Sequence, residues 1–266
     1  MYDRFNRKIN YLRISVTDRC NLRCVYCMPA EGVQLMQHED ILSFEEIVAF
    51  TKKAVKDGVD KVRITGGEPL VRHDIINLVK QIGAIEGIKD LGMTTNGILL
   101  PKYAKQLKEA GLMRVNISLD TMNPKRYHEI TRLGNITDVF AGIEAAKEAG
   151  LSPIKINCVI KSSRFEADAL EVASYCASEG LEIRYIHEMD LDTGSFSKVE
   201  GGEGGDCSNC NRLRLTANGD VMPCLFSDLS FNVRAEGVEN AIEESLKNKP
   251  RSGTKNHSGR FNTIGG

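Results

Sequence analysis

The feature that most constrains this chain is a pattern repeated from about residue 58 onward, in which a helical segment ends at a glycine and an apolar run follows. Glycine suits the left-handed position that closes a helix, and such a run is typical of a buried strand. A first strand is expected at Tyr11–Val16. The pattern then predicts six strands, near residues 11, 61, 90, 114, 154 and 181.

Helical patterns fill the gaps between these strands, and the first of them opens at a capping box, Ser43-Phe44-Glu45-Glu46. Strands that alternate with helices predict a parallel sheet, curled or closed, whose outer face the helices cover. We therefore expect an α/β fold, a partial (βα)6 TIM-like barrel. Its ligands should lie at the carboxyl ends of the strands.

The repeat stops after Ile186. The segment Leu191–Asp206 is polar and rich in glycine, which is typical of a linker or a mobile loop. A cysteine-bearing region, a helix near Val238–Leu246 and a polar tail follow. The sequence thus predicts three parts: a barrel over 1–190, a linker over 191–206 and a short C-terminal segment over 207–266.

Charge and composition exclude several classes of protein. The 266 residues include 35 Lys and Arg against 36 Asp and Glu, and the net charge of −1 argues against a general nucleic-acid binder. No apolar run approaches the roughly 18 residues of a membrane span, and there is no secretory signal. We expect a cytoplasmic protein without membrane contact, so its eight cysteines favour metal ligation over disulfides.

Three cysteines follow the first strand with the spacing Cys20-x3-Cys24-x2-Cys27. Structural zinc requires four ligands, and neither a further cysteine nor a nearby histidine completes this set. A ferredoxin motif has another spacing and a fourth cysteine. The pattern favours a [4Fe–4S] cluster with one iron open to a non-protein ligand.

A second group has the spacing Cys207-x2-Cys210-x13-Cys224, with Asn218-Gly219 predicted as a hairpin turn inside it. The spacing leaves open a zinc knuckle completed by a distant histidine, of which His257 is the one downstream. The hairpin suits a zinc site and an iron–sulfur cluster equally.

Basic residues recur on the predicted strands. Arg212 and Arg214 alternate and so point the same way, and further cations lie on the first, second, fifth and sixth strands: Arg13, Arg63, Lys155 and Arg184. If the strands curl round a common interior, these charges converge and repel one another unless an anion neutralises them. A triphosphate fits, because arginine binds its oxygens in pairs.

At these residues the sequence resembles the radical S-adenosylmethionine (SAM) superfamily and, within it, the GTP 3′,8-cyclases, lyases that catalyse the first step of molybdenum cofactor biosynthesis. The segments that carry the resemblance are Leu12–Pro29, Arg63–Leu70, Thr94–Gly97, Asn116–Asp120 and Asn211–Arg214. The resemblance implies a barrel of the radical SAM type. It also implies that SAM chelates the open iron and is cleaved by one electron to methionine and a 5′-deoxyadenosyl radical.

Site residues follow from the resemblance position by position. The implied SAM contacts are Tyr26, Gly66, Gly67, Glu68, Ser118 and Met189. Cys207, Cys210 and Cys224 would hold a second [4Fe–4S] cluster that binds the GTP base. The implied GTP contacts are Arg13, Arg63, Thr94, Lys155, Arg184, Arg212, Leu213 and Arg214.

The implied reaction removes the ribose 3′ hydrogen of GTP and joins that carbon to purine C8, which gives (8S)-3′,8-cyclo-7,8-dihydroguanosine 5′-triphosphate. No side chain is expected to act as acid or base in the first step. The implied partners are an external electron donor and cyclic pyranopterin monophosphate synthase, with this chain as a monomer or homodimer. A terminal Gly265-Gly266 tail is expected to enter the site.

The chain departs from the family at Leu191–Asp206, where family members have several tens of residues. We therefore expect a more open GTP pocket and a less rigidly held second cluster. Cys158 and Cys176 are interpreted as buried packing residues and the five histidines as structural. Two alternatives remain at this point: a radical SAM enzyme for another substrate, such as a peptide, and a zinc-stabilised binding protein without radical chemistry.

Overall fold

A computed structural model describes residues 1–257 and 261–264; the predicted role of Gly265-Gly266 lies outside the described residues. Six strands follow the predicted pattern: β1 (Tyr11–Ser15), β2 (Lys61–Thr65), β3 (Asp90–Thr95), β4 (Arg114–Ser118), β5 (Ile154–Ile160) and β6 (Glu182–His187). Three shorter strands follow: β7 (Arg212–Leu215), β8 (Asp220–Met222) and β9 (Phe231–Asn232). In these described ranges no helix has the length and apolarity needed to cross a membrane.

Helices connect the six parallel strands. They are α1 (Phe44–Lys56), α2 (Ile75–Gly83), α3 (Leu100–Glu109), α4 (Pro124–Thr131), α5 (Ile136–Glu148) and α6 (Ala167–Ser178). The C-terminal region adds α7 (Val233–Glu236), α8 (Val238–Lys247) and α9 (Phe261–Ile264). The capping box is present, because the Ser43 side chain accepts from Glu46 N while the Glu46 side chain accepts from Ser43 N.

The strands form one sheet in the order β6-β5-β4-β3-β2-β1-β7-β8-β9. Each neighbouring pair from β6 to β7 is parallel, whereas β8 and β9 are antiparallel additions. Side chains from β1 and β6 line the same cavity, so the sheet curls. The predicted partial (βα)6 barrel is confirmed, and the five glycines of the repeat all have positive φ angles, between 66° and 109°.

Alternation along the strands separates an apolar outer layer from a polar interior. On β5, Ile154, Ile156 and Ile160 are buried against the helices, whereas Lys155 and Asn157 line the interior. The outer face carries most of the hydrophobic core, which includes both cysteines expected to be packing residues, Cys158 and Cys176.

The region after β6 is attached to the barrel at several places. Leu191–Asp206, predicted as a linker or loop, bridges to β6 through Tyr185 and Glu200, and its Phe196 ring stacks on Phe226 with centroids 4.4 Å apart. β7 then pairs with β1, and β7 and β8 form the predicted hairpin around Asn218-Gly219. The second cysteine group is therefore carried on an extension of the barrel sheet.

We expect Gly142→Ala to destabilise the fold, although glycine to alanine in a helix normally stabilises by about 0.5–1 kcal/mol. Gly142 lies in α5, and a Cβ there would stand 2.1 Å from the carbonyl oxygen of Gly97. Such overpacking costs about 1–3 kcal/mol, and each kcal/mol lowers Tm by roughly 2–4 °C. Thermal unfolding should show a lower Tm for this variant. Thr137→Ala, at an exposed position of the same helix, should not lower it, and equal Tm values would contradict the account.

Candidate active site

Two adjoining cavities occupy the barrel interior. The smaller, of about 210 Å³, lies at the carboxyl ends of the strands, where ligands were expected. The larger, of about 550 Å³, extends to the amino ends of β1, β2 and β3, where Tyr11, Lys61 and Asp90 line it. The interior is therefore open beyond the carboxyl ends, where the catalytic layer is expected. The interior stays open toward the amino ends because its polar side chains do not fill it as the apolar layers of a closed barrel do.

The first cysteine group lines the smaller cavity. Its loop is fixed against the end of α4, since Arg23 N donates to Thr131 O at 3.0 Å and Val25 N donates to Ile130 O at 2.9 Å. Within the loop, Cys27 N donates to Cys24 O at 2.9 Å. The end of α4 and this bond within the loop thus help to determine where the three thiols lie.

The donor set fits a metal cluster. Burial raises the pKa of the Cys20, Cys24 and Cys27 thiols, that of Cys27 to about 11, and charges on neighbouring cysteines raise the pKa of Cys24 and Cys27 further. Thiolates that disfavour one another in this way are stabilised by a bound cation. In residues 1–257 and 261–264, no three His, Cys, Asp or Glu side chains are arranged to hold a single metal ion. In a [4Fe–4S] cluster, by contrast, each cysteine binds a different iron.

The turn after β2 joins the cysteine loop to the sheet. Gly67 N donates to Thr17 O and Glu68 N to Arg19 O, both at 2.8 Å. A Cβ on Gly67 would stand 2.3 Å from the carbonyl oxygen of Arg19. Glycine is therefore required at position 67 for the approach of the chain segment that enters the cysteine loop.

Glu68 is a buried carboxylate at the wall of the smaller cavity. It accepts hydrogen bonds from Thr95 Oγ1 at 2.7 Å, Asn96 N at 2.7 Å and Leu70 N at 3.1 Å. Burial nevertheless raises the pKa of Glu68 to about 7. Chemically, this carboxylate suits an ammonium group, whose charge would favour the ionised form.

Tyr26 lies between two cysteines of the first group, and its hydroxyl donates to Asp120 Oδ2 at 2.7 Å. The other oxygen of Asp120 accepts from Val159 N at 2.8 Å, and burial raises the pKa of Asp120 to about 6. Asp120 was not among the predicted site residues, although it ends the segment Asn116–Asp120 that carries the resemblance. Ser118 and Met189 line this cavity with Tyr26.

The larger cavity brings together most of the residues predicted to contact GTP. Its lining includes Arg13, Arg63, Thr94, Lys155, Arg184, Arg212 and Arg214. Leu213 is the exception, because its side chain alternates to the opposite face of β7 and is fully buried in the core. A side-chain contact of Leu213 with a ligand in this cavity is therefore excluded.

Three arginines stand side by side in the sheet register. Arg214 on β7 is paired with Arg13 on β1, which is paired with Arg63 on β2. Gly92 on β3 is next in this row, and a Cβ there would stand 3.1 Å from Arg63 Cζ. Glycine at position 92 thus leaves room for a guanidinium group that is 1% exposed.

Burial lowers the pKa of each of these arginines, that of Arg214 to about 9, and neighbouring positive charges lower them further. Arg63 Nη1 donates to Asn116 Oδ1 at 2.6 Å, while Arg63 Nε and Arg184 Nε are buried without a hydrogen-bond partner in the described part of the chain. Buried donors without partners are costly, and oxyanions would satisfy them.

Two acidic side chains already engage part of the cationic lining. Asp90 accepts from Arg114 Nε at 2.7 Å and from Arg114 Nη2 at 2.5 Å, and Lys155 pairs with Glu182. Strand alternation could have identified several unpredicted lining residues, because each lies two positions from a predicted one. These residues are Tyr11, Lys61, Asn116 and Asn157.

The second cysteine group also lines the larger cavity. Burial raises the pKa of Cys224, whereas the positive charges of Lys249, Arg212 and Arg214 lower the pKa of Cys210 despite its burial. These thiols suit a metal cluster at an electropositive position. His257, the possible fourth ligand of a zinc knuckle, instead pairs with Asp228 at 3.0 Å.

The shortened segment forms one wall of the larger cavity through Ser197, Val199 and residues 201–206. The two cavities adjoin, because both are lined by Thr94, Asn157, Ile186 and Met189. A ligand in the larger cavity would therefore lie next to a ligand in the smaller cavity.

Comparison with known proteins agrees with this arrangement. Residues 14–176 match the family model of the radical SAM superfamily. The chain is 43% identical to the GTP 3′,8-cyclase of Moorella thermoacetica, over 92% of this chain and 90% of that protein. It is 40% identical to the GTP 3′,8-cyclase of Petrotoga mobilis, over 95% of this chain and 94% of that protein.

Two further comparisons concern length and fold. The match to the GTP 3′,8-cyclase of Thermodesulfovibrio yellowstonii is 38% identical and covers all of both proteins over 323 aligned positions, so that relative has segments which this 266-residue chain lacks. Among solved structures, Streptococcus suis SuiB bound to its precursor peptide superposes with a TM-score of 0.66 at 18% identity, over 92% of this chain and 66% of that one. At that identity the likeness shows the fold alone.

We expect Tyr11 to ionise near neutral pH. Burial raises its pKa, but the charges of Arg63, Arg13, Arg212 and Lys61 outweigh burial and lower the pKa to about 7, against an ordinary value of 10.0. The tyrosinate should therefore be present above pH 7 and absent well below it. Tyrosinate absorbs near 295 nm, and the chain has no tryptophan to interfere. A pH titration of absorbance for the protein minus its Tyr11→Phe variant should show one transition near pH 7. A single transition near pH 10 would contradict it.

Proposed function

The chain belongs to the GTP 3′,8-cyclase family of the radical SAM superfamily, and from this premise we propose that it converts GTP to (8S)-3′,8-cyclo-7,8-dihydroguanosine 5′-triphosphate. This is the first step of molybdenum cofactor biosynthesis, and it makes the chain a lyase. The observation that carries the proposal is that the two cavities adjoin through four shared residues. The larger is lined by cationic side chains, and the smaller is lined by the first cysteine group. Neither the peptide substrate nor the zinc-stabilised binding protein is favoured by family membership.

The smaller cavity is the proposed SAM site. Cys20, Cys24 and Cys27 would hold a [4Fe–4S] cluster and leave one iron without a protein ligand, to which SAM would bind. The cluster and SAM would supply a 5′-deoxyadenosyl radical for removal of the ribose 3′ hydrogen, which permits closure onto C8. The buried Glu68 carboxylate would pair with the SAM ammonium, whose positive charge would favour the ionised form that burial disfavours.

The other residues around the SAM site position it. Gly66 and Gly67 hold the turn that joins the cysteine loop to β2, while Tyr26 is fixed by its hydrogen bond to Asp120. Ser118 and Met189 close the cavity beside them. Because Met189 also lines the larger cavity, it would contact both ligands where they meet.

The larger cavity is the proposed GTP site. A triphosphate there accepts hydrogen bonds from the arginine row and from Arg184, which offsets the mutual repulsion of these cations. Thr94 lines both cavities, which supports its proposed contact with GTP. Lys155 and Arg212 complete the contacts, and any contact from Leu213 comes from its main chain.

The second cysteine group holds the proposed second [4Fe–4S] cluster. Cys207, Cys210 and Cys224 line the GTP cavity, so an iron without a protein ligand there would be accessible to the guanine base. We assign the barrel to residues 1–190, the linker to 191–206 and the second cluster to 207–266. Residues 201–206 form a wall of this cavity despite the shorter segment, and we propose that the chain retains GTP turnover.

Partners follow from the reaction. The reaction consumes two electrons, one to cleave SAM and one, together with a proton, to complete the 7,8-dihydro product after closure onto C8, and an external donor in the cytoplasm supplies them. The triphosphate product passes to cyclic pyranopterin monophosphate synthase, and the enzyme acts as a monomer or homodimer without nucleic acid.

Anaerobic reconstitution followed by dithionite, SAM and GTP tests this function. We expect two clusters, formation of 5′-deoxyadenosine and loss of GTP. Absence of 5′-deoxyadenosine would exclude the radical SAM activity, and its formation without change to GTP would exclude GTP as substrate. Zinc without iron would exclude both clusters.

Cys224→Ala should retain the first cluster and abolish GTP conversion, because it removes one ligand of the second cluster alone. Cys176→Ala is the matched control, since Cys176 is buried in the outer core and lines neither cavity. The control should retain both clusters and GTP conversion. Conversion by the Cys224 variant at the rate of the control would contradict the role of the second cluster.

A further inference from the structure

The second cysteine group has main-chain attachments that the proposed function does not use. Near each of its three cysteines, a main-chain carbonyl group accepts a hydrogen bond from a cationic side chain. That carbonyl group belongs to the cysteine itself or to a residue at most two positions away. Arg7 Nη1 donates to Cys207 O at 2.6 Å, and Lys249 Nζ donates to Arg212 O at 2.8 Å and also to Pro223 O. Two cations therefore connect segments that are far apart in the sequence.

Lys249 is the central member of this arrangement. Lys249 is 2% exposed. Its Nζ connects the strand that follows Cys210 to the residue that precedes Cys224. It follows α8, which is fixed on β8 because Ser245 Oγ donates to Val221 O at 3.0 Å. The packing of α8 on β8 thus fixes the position of the Lys249 ammonium.

The Lys249 ammonium lies close to the thiols. It lines the larger cavity together with Cys210 and Cys224, and its hydrogen bonds to Arg212 O and Pro223 O hold Nζ near the main chain at both cysteines. Carbonyl groups do not neutralise a buried ammonium, so a lysine at this position favours a nearby anion. A cluster held by three thiolates supplies one.

Arg7, near the N-terminus, contacts the same region of the structure. Its guanidinium also donates to Pro250 O at 2.7 Å and Arg251 O at 3.0 Å, and it pairs with Asp3 at 2.7 Å. The residues after Lys249 are therefore tied to Cys207. Arg7 has its own carboxylate partner, whereas Lys249 depends on the cysteine group.

We propose that Lys249 is a positioning residue and the counter-charge of the second cluster, which holds Cys210 and Cys224 at their ligating positions and raises the reduction potential of the cluster. This inference rests on the proposed second cluster. A fixed positive charge next to an iron–sulfur cluster favours its reduced form, so loss of that charge lowers the potential. A lysine that only joined two carbonyl groups would leave the potential unchanged.

The test compares Lys249→Met, which removes the charge, with Lys249→Arg, which keeps it. Lys247→Met is the matched control, because Lys247 is two residues away and its side chain is 72% exposed. All are reconstituted anaerobically and assayed for iron, with about eight irons per chain expected for the unsubstituted protein. The midpoint potential of the second cluster is measured by EPR in a background with Cys20, Cys24 and Cys27 replaced by alanine.

We expect Lys249→Met to retain about four irons, those of the first cluster, or to retain both clusters with a lower midpoint potential for the second. Lys249→Arg should restore iron content and potential, and Lys247→Met should match the unsubstituted protein. Full iron and an unchanged potential in Lys249→Met would overturn the inference. Failure of Lys249→Arg to restore either would overturn the counter-charge role.

Two controls separate this inference from its premises. About four irons in the unsubstituted protein would exclude the second cluster itself, and with it that part of the proposed function. If Lys249→Met loses the first cluster as well, it has not folded, and Lys249→Gln decides the question. Lys249→Gln keeps an N–H donor without charge, and an unchanged potential in it would overturn the inference.

Discussion

Mutual repulsion among buried cations is the constraint on which this structure depends. Arg214, Arg13 and Arg63 stand side by side in the register of three neighbouring strands, in a chain whose net charge is only −1. Burial lowers the pKa of each, yet even a pKa of about 9 for Arg214 leaves it charged at neutral pH. Gly92 provides space for Arg63 in this row, and the positive charges around Tyr11 lower the pKa of its hydroxyl, because such an interior favours negative charge. Such an interior is suited to a polyanion, as proposed for the triphosphate of GTP.

The position of the first cysteine group follows from the backbone around β2. Gly67 permits the contact with Arg19, and the two hydrogen bonds formed there place the cysteine loop beside the buried Glu68. Met189 and Thr94 line both cavities, so a radical source and a nucleotide bound as proposed would lie next to each other. The chemistry proposed for the chain therefore depends on two features. The turn after β2 positions the cysteine loop, and the arginine row across β7, β1 and β2 lines the neighbouring cavity.

Much of the fold was predictable because helix-closing glycines and apolar runs are local signals. Five of the six strand starts agree with the prediction, and β6 begins at Glu182, one residue later. Contacts between segments distant in the sequence were harder to predict. The pairing of β7 with β1, the Asp90–Arg114 ion pair and the attachment of Lys249 join residues that are distant in sequence. Leu213 was predicted within a contiguous motif, although strand alternation turns its side chain into the core.

The central claim is that GTP lies in the cationic cavity with its ribose toward SAM. GTP deuterated at ribose C3′ tests it directly, with the 5′-deoxyadenosine product analysed by mass spectrometry after a single turnover. The account predicts that this product gains one deuterium, because the two ligands meet at the shared wall of the cavities. Recovery of unlabelled 5′-deoxyadenosine, with the deuterium still in the nucleotide, would contradict it.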